Sequence, residues 1–258
     1  MAEPLPISTP VGTGLPQPDR LPSDLGYDRR RPATKTRQNP RMFPVGDDDS
    51  QRRTTPYVTY ALVGLNVLVF LIELSGGDQF IEEWSFIPAR FSGNPEANAV
   101  TIFTAMFMHG GWLHLFGNML YLWIFGDNVE DQFGHLKFLI FYLLAGIAAT
   151  FSQYAVSPES GVPNVGASGA IAGVLGAYIL MFPRSRVNVL LGTQVVAMPA
   201  LVVLGFWIVL QLVSGAGSIA ATDESSGGVA YMAHIGGFAS GVAMTYLFRG
   251  RSESDTLA

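Results

Sequence analysis

Cysteine is absent from the 258 residues, which excludes disulfides, thiolate metal sites and cysteine nucleophiles. Charge is scarce as well. Asp, Glu, Lys and Arg make up 14% of the chain, where a soluble domain carries roughly a quarter. The scarcity is uneven: residues 1–55 hold nine of the fifteen basic and seven of the twenty acidic residues, while residues 56–248 hold four and eleven. That excludes an ordinary soluble globular protein, and so polar a head is not the pattern of a secretory signal peptide. The formal net charge of −5 sits on tails and loops and points to no charged partner; no nucleic acid is expected.

What the chain has instead is long apolar runs. Crossing a hydrocarbon core of about 30 Å takes about 20 mostly apolar residues at about 1.5 Å each. Six segments qualify, at 57–74, 112–127, 136–156, 165–183, 196–214 and 229–248. The run 187–213 is too long for one untilted span, so a break at Met198-Pro199 leaves 187–195 as an interfacial approach. The expectation is an all-α, multi-pass membrane protein. Residues 1–55 form a disordered cytoplasmic tail, 56–250 a six-helix membrane domain, and 251–258 a C-terminal tail. With both termini cytoplasmic, fourteen of the fifteen basic residues lie inside and Arg90 alone outside, as the positive-inside rule demands. Two external connections stand out. Residues 76–110, with Trp84, Phe86, Phe91 and the apolar run 100–108, predict a half-embedded loop. Residues 215–228 are rich in Gly and Ser and predict a mobile lid.

Polar groups at membrane depth are expensive and are functional candidates by default. Here they are His109, His114, Asn118, Ser168 and His234. Ser168, in Gly166-Ala167-Ser168-Gly169-Ala170, fits close helix packing as well as catalysis when taken alone. His234, in Ala233-His234-Ile235-Gly236-Gly237, fits a bridge between helices equally well. Position links the two, because both lie near the outer end of spans running in the same direction, roughly 5 and 8 Å in. Each precedes a close-packing motif, Gly169-x-x-x-Gly173 and Gly237-x-x-x-Gly241. If those faces meet, Ser168 reaches the imidazole, and a serine hydroxyl becomes a nucleophile when a positioned base takes its proton. No acidic residue lies in the outer half of the second, fourth or sixth span, so the expectation is a Ser–His dyad whose ring is held by packing. His114 and Asn118, four apart, share a helix face. Asn118, His109 and the N–H of Ser168 are suited to an oxyanion, and His114 to a structural hydrogen bond. A metal site built on the three histidines lacks an acidic partner and the HExxH spacing; neither metal nor cofactor is expected. Glu73, near the outer end of the first span, has no assigned partner and is expected to snorkel to the interface.

Together, HGGWLHLFGN (109–118), GASG (166–169) and AHIGG with its following GxxxG (233–241) resemble the rhomboid intramembrane serine proteases over about residues 56–250. The resemblance implies a rhomboid-like six-transmembrane-helix bundle of the bacterial type, in the plasma membrane. In it Ser168 is the nucleophile and His234 the general base. His109 and Asn118 bind the oxyanion, and His114 is structural or handles water. Residues 76–108 become the half-embedded first loop and 215–228 the cap. The implied substrates are transmembrane segments of membrane proteins within the lipid bilayer. One departure is Ala172, where many members carry an aromatic residue that stacks on the histidine. Two other classes compete: a catalytically silent binder of transmembrane helices, against which the retained serine and histidine argue, and a transporter, which predicts an internal repeat that halves 56–150 and 151–250 do not display. Oligomeric state is open.

Overall fold

The computed structural model describes residues 42–47, 52–220 and 230–249 and is mostly helical. Strand β1 (Met42–Asp47) precedes helix α1 (Tyr57–Trp84). Three short helices follow, α2 (Pro88–Gly93), α3 (Pro95–Asn98) and α4 (Thr101–Thr104), with a 3₁₀ turn at Ala105–Phe107. Then come α5 (Trp112–Phe133), α6 (His135–Val156), α7 (Ser168–Met181), β2 (Arg186–Leu191), β3 (Gln194–Pro199), α8 (Ala200–Ala220) and α9 (Tyr231–Phe248). By length and composition α1, α6 and α8 can each cross a membrane. A fourth span arises if α5 and the segment 95–107, bent at 77°, count as one.

A helix occupies each of the six apolar segments, with shifted bounds. α1 continues to Trp84 through a break at Gly77, whose φ of 60° suits glycine; the external loop therefore starts later than residue 76. α8 runs on to Ala220, so the first part of the predicted lid 215–228 is helical; its remainder lies outside the described residues, as do residues 1–41 and the tail 251–258.

Two expectations are corrected by a small antiparallel sheet of order β1-β2-β3. Residues 42–47 of the supposedly unstructured head pair with β2, Phe43 opposite Leu190 and Asp47 opposite Val187. The supposed interfacial approach 187–195 is the β2–β3 hairpin, Leu191 opposite Gln194 and Arg186 opposite Pro199. Alternation explains it: Val187 and Val189 face inward and are fully buried, while a short Gly192-Thr193 connection, with Gly192 at φ 64°, closes the turn.

Acidic residues at the end of α5 hold the start of α1. Glu130, fully buried, accepts from the Val58 and Thr59 N–H groups at 2.9 and 2.7 Å and from the Thr59 hydroxyl at 2.7 Å. Asp131 accepts from the N–H groups of Arg53 and Thr54. The first N–H groups of α1 are thereby satisfied. His135 Nδ1 also lies 2.5 Å from Glu130.

The centre of the bundle is α7, buried from Gly169 to Tyr178. Lipid is as apolar as a leucine side chain, so helices here associate by close packing of small residues. A Cβ on Gly237 would strike the carbonyl of Gly169, and one on Gly241 the carbonyl of Gly173. Against the other side of α7 lie Ala149 and Ala145 of α6, each within reach of a Cβ at Gly169 or Gly173. Larger side chains, among them Phe125, Phe138, Phe141, Tyr142 and Tyr178, fill the space below.

Candidate active site

Ser168 is the first residue of α7, and the segment leading to it is pinned from outside. The Phe86 and Asn164 backbones exchange hydrogen bonds of 3.2 and 2.8 Å, and the Gly166 N–H donates to the Ala105 carbonyl at 2.9 Å. The external loop thus fixes where α7 begins. Gly166 has a φ of 131°, and a Cβ there would lie 2.8 and 2.9 Å from Cε1 and Nε2 of His114 and 3.5 Å from Ser168 Oγ. The spot needs glycine for both conformation and space. As a helix starts here, N–H groups of its first turn have no intrahelical acceptor.

The close approach of α7 and α9 brings His234 to Ser168: Nε2 of His234 and Oγ of Ser168 are 2.8 Å apart. The other ring nitrogen, Nδ1, is 2.8 Å from Oε1 of Gln211. Trp207, one turn earlier on α8, sets its ring 5.9 Å from the imidazole, tilted by 38°. No acidic side chain hydrogen-bonds His234 among the described residues. Ala172 is buried in α7, and support for the imidazole comes from α8 instead. Sequence reasoning passed over Gln211 and Trp207. The signal available was a lone amide inside the apolar run 196–214.

Two further candidate histidines, His109 and His114, lie near the start of α5. His114 borders Ser168 across Gly166. Its Nδ1 accepts from the Gly110 N–H at 3.3 Å, so the ring proton of the neutral imidazole is on Nε2, the nitrogen beside Gly166. His109 lies one ring further out, 5.2 Å from His114 between centroids. It is buried, with its ring perpendicular to that of Phe70 of α1 at 6.4 Å. Its backbone N–H donates to Glu73 at 2.9 Å. Glu73 is itself buried, so it turns inward to tie α1 to this loop instead of snorkelling. Asn118 is buried one turn below His114, and its Nδ2 meets no acceptor among the described residues.

A cavity of about 50 Å³ adjoins Ser168, lined among others by Met106, Thr150, Gln153, Asn164 and Gly166. It has room for water beside the serine.

A family model described as the rhomboid domain matches residues 96–251. Among curated proteins, the chain is 32% identical over 168 residues to rhomboid protease GluP of Bacillus subtilis, covering 64% of this chain and 32% of that one. It is 30% identical over 190 residues to the mitochondrial rhomboid protein 1 of Saccharomyces cerevisiae, covering 72% and 51%. It is 38% identical over 78 residues to the chloroplastic rhomboid-like protein 11 of Arabidopsis thaliana, covering 30% and 28%. The chain spans about half or less of the length of these relatives. With a family match running over more than half of its residues, the chain belongs to the rhomboid family of integral membrane proteins.

Proposed function

We propose that this chain is an intramembrane serine endopeptidase working through a Ser168–His234 dyad. The observation that carries the reading is the 2.8 Å contact between His234 Nε2 and Ser168 Oγ, inside a bundle of apolar helices. Ser168 Oγ attacks the scissile carbonyl carbon while its proton passes to Nε2, and the carbonyl electron pair moves onto oxygen. Collapse of that intermediate breaks the C–N bond. The departing amine takes the proton from Nε2 and leaves an ester on Ser168. Water then adds to the ester by the same route, releasing the acid and restoring the serine.

The developing oxyanion needs donors aimed at it. The Ser168 N–H, the Asn118 amide and the Nε2–H of His114 meet that need, with His114 taking the part the sequence suggested for His109. His109 backs His114 from the α1 side. No cofactor enters the reaction.

Substrates of this reading are membrane proteins whose spanning segment unwinds at the site, since the bilayer penalises bare backbone elsewhere. Six spans, with both termini in the cytoplasm of a bacterial cell, agree with the distribution of basic residues. The relative from Bacillus subtilis, named a protease, supports the activity.

The test is labelling of detergent-solubilised protein with a fluorophosphonate, read by intact mass. Wild type should gain one adduct, Ser168→Ala none, and His234→Ala far less than wild type. Folded wild type without an adduct would move the reading to a binder of transmembrane helices.

A further inference from the structure

We infer that Gln211 is the positioning residue of the catalytic histidine, standing where a carboxylate would complete a triad; the inference rests on the dyad proposed above. A neutral imidazole carries one N–H, on either nitrogen. Only the form with the proton on Nδ1 leaves a lone pair on Nε2 for the Ser168 proton. The Gln211 Oε1 oxygen, 2.8 Å from Nδ1, is an acceptor with no proton of its own, so the hydrogen bond exists when Nδ1 carries the proton. The amide therefore selects the tautomer that makes His234 a base toward Ser168.

Three further observations bear on this. Trp207 and Gln211 are four apart on α8, hence on one helix face, so a single face supplies both a ring against the imidazole and the acceptor for its nitrogen. Ala172 leaves α7 with no large side chain at the position where the family resemblance expects a stacking ring, so α8 takes over the support. Among the described residues no carboxylate bonds Nδ1. A neutral acceptor also suits the low dielectric of the site, because it orients the ring without placing a second buried charge beside it. When Nε2 takes the serine proton, Nδ1–H keeps its bond to Oε1 and the ring stays aimed at the leaving amine.

The experiment compares full-length wild type with Gln211→Met, Gln211→Glu and Gln211→Lys. The readouts are fluorophosphonate labelling rate and kcat and KM on a transmembrane reporter substrate. Thermal melting reports folding, and Ser168→Ala and His234→Ala serve as reference arms. Met keeps the length and loses the acceptor. Its labelling rate and kcat should fall about ten- to a hundred-fold, the range seen when the orienting partner of a metal-bound histidine is removed, with KM within about two-fold of wild type. Glu restores an acceptor and should label faster than Met or Lys. Lys presents only donors and should behave like Met or worse. Glu and Lys are both polar and similar in reach, so their contrast survives even if Met fails to fold. Equal rates for folded Glu and Lys variants, or a Met variant at the wild-type rate beside a silent His234→Ala, would overturn the positioning role alone. His234→Ala labelling like wild type would overturn the dyad itself.

Discussion

Glu130, at the end of α5, caps the start of α1 by accepting from the backbone of Thr59, across 71 residues of sequence, at 2.7 Å. The same carboxylate takes the Val58 N–H and the Thr59 hydroxyl, so one buried side chain satisfies three donors of α1. Nothing in that arrangement touches Ser168, which makes it a clean place to separate stability from chemistry.

Replacing Glu130 by Ala leaves those donors without their acceptor, and Thr59 is fully buried. Each unsatisfied buried group costs about 1–3 kcal/mol, and loss of a helix cap alone costs about 1 kcal/mol. Glu130→Ala should therefore lower the melting temperature in detergent by several degrees, while protein that stays folded still labels at Ser168. A melting curve superimposable on wild type would show that the cap contributes nothing.

The glycines of α7 and α9 act on distance. Gly241 has no room for a Cβ against the Gly173 backbone, and overpacking of this kind typically costs about 1–3 kcal/mol, met by backbone displacement. Separating the helices by even a fraction of an ångström lengthens the Ser168–His234 hydrogen bond near their outer ends. Gly241→Ala should thus depress labelling at least ten-fold. Gly64→Ala on α1, where a Cβ meets nothing within 4 Å, should leave it unchanged and serves as the control.

These relationships differ in how far they could be read from sequence. Ser168, His234 and the paired GxxxG motifs were legible because each sits in a short local pattern whose chemistry is recognisable. The strands were partly legible: Val187 and Val189 alternate around Asn188, and a glycine turn follows, but an apolar run read as an approach to a span hid the period of two. Glu130, Glu73 and Gln211 were not legible in their roles. Their partners lie 71, 36 and 23 residues away, and a single polar residue in an apolar span does not announce what it will face. That His114 and not His109 borders Ser168 has the same origin. Sequence spacing puts both near the helix start, and only the Gly166 backbone decides which ring borders Ser168.

If His234 must be neutral to accept the Ser168 proton, kcat/KM should be low where the imidazole is protonated, rise with pH as it loses that proton, and then level off. His114 titrates in the same site and Glu73 lies behind His109, so the comparison is His114→Gln, which should keep a rising limb. Chelators should leave the rate unaltered. Loss of activity in a chelator, restored by zinc, would point to metal-assisted hydrolysis and remove Ser168 from its assigned role.

The last prediction separates the two histidines at the helix start. A donor used only on the oxyanion acts in the transition state, so its removal lowers kcat and leaves KM nearly alone. His114→Ala and Asn118→Ala should each lower kcat about 10²- to 10³-fold with melting temperatures close to wild type. Their double variant should lose less than the product of the two, since both serve one oxygen. His109 is buried against Phe70 and carries the backbone N–H that binds Glu73. Truncating it empties packed space, which costs stability first. His109→Ala should accordingly melt at lower temperature and, while folded, keep more activity than His114→Ala. The reverse ranking, with His109→Ala stable and the more severely impaired in kcat, would return the oxyanion role to His109 and leave His114 as its support.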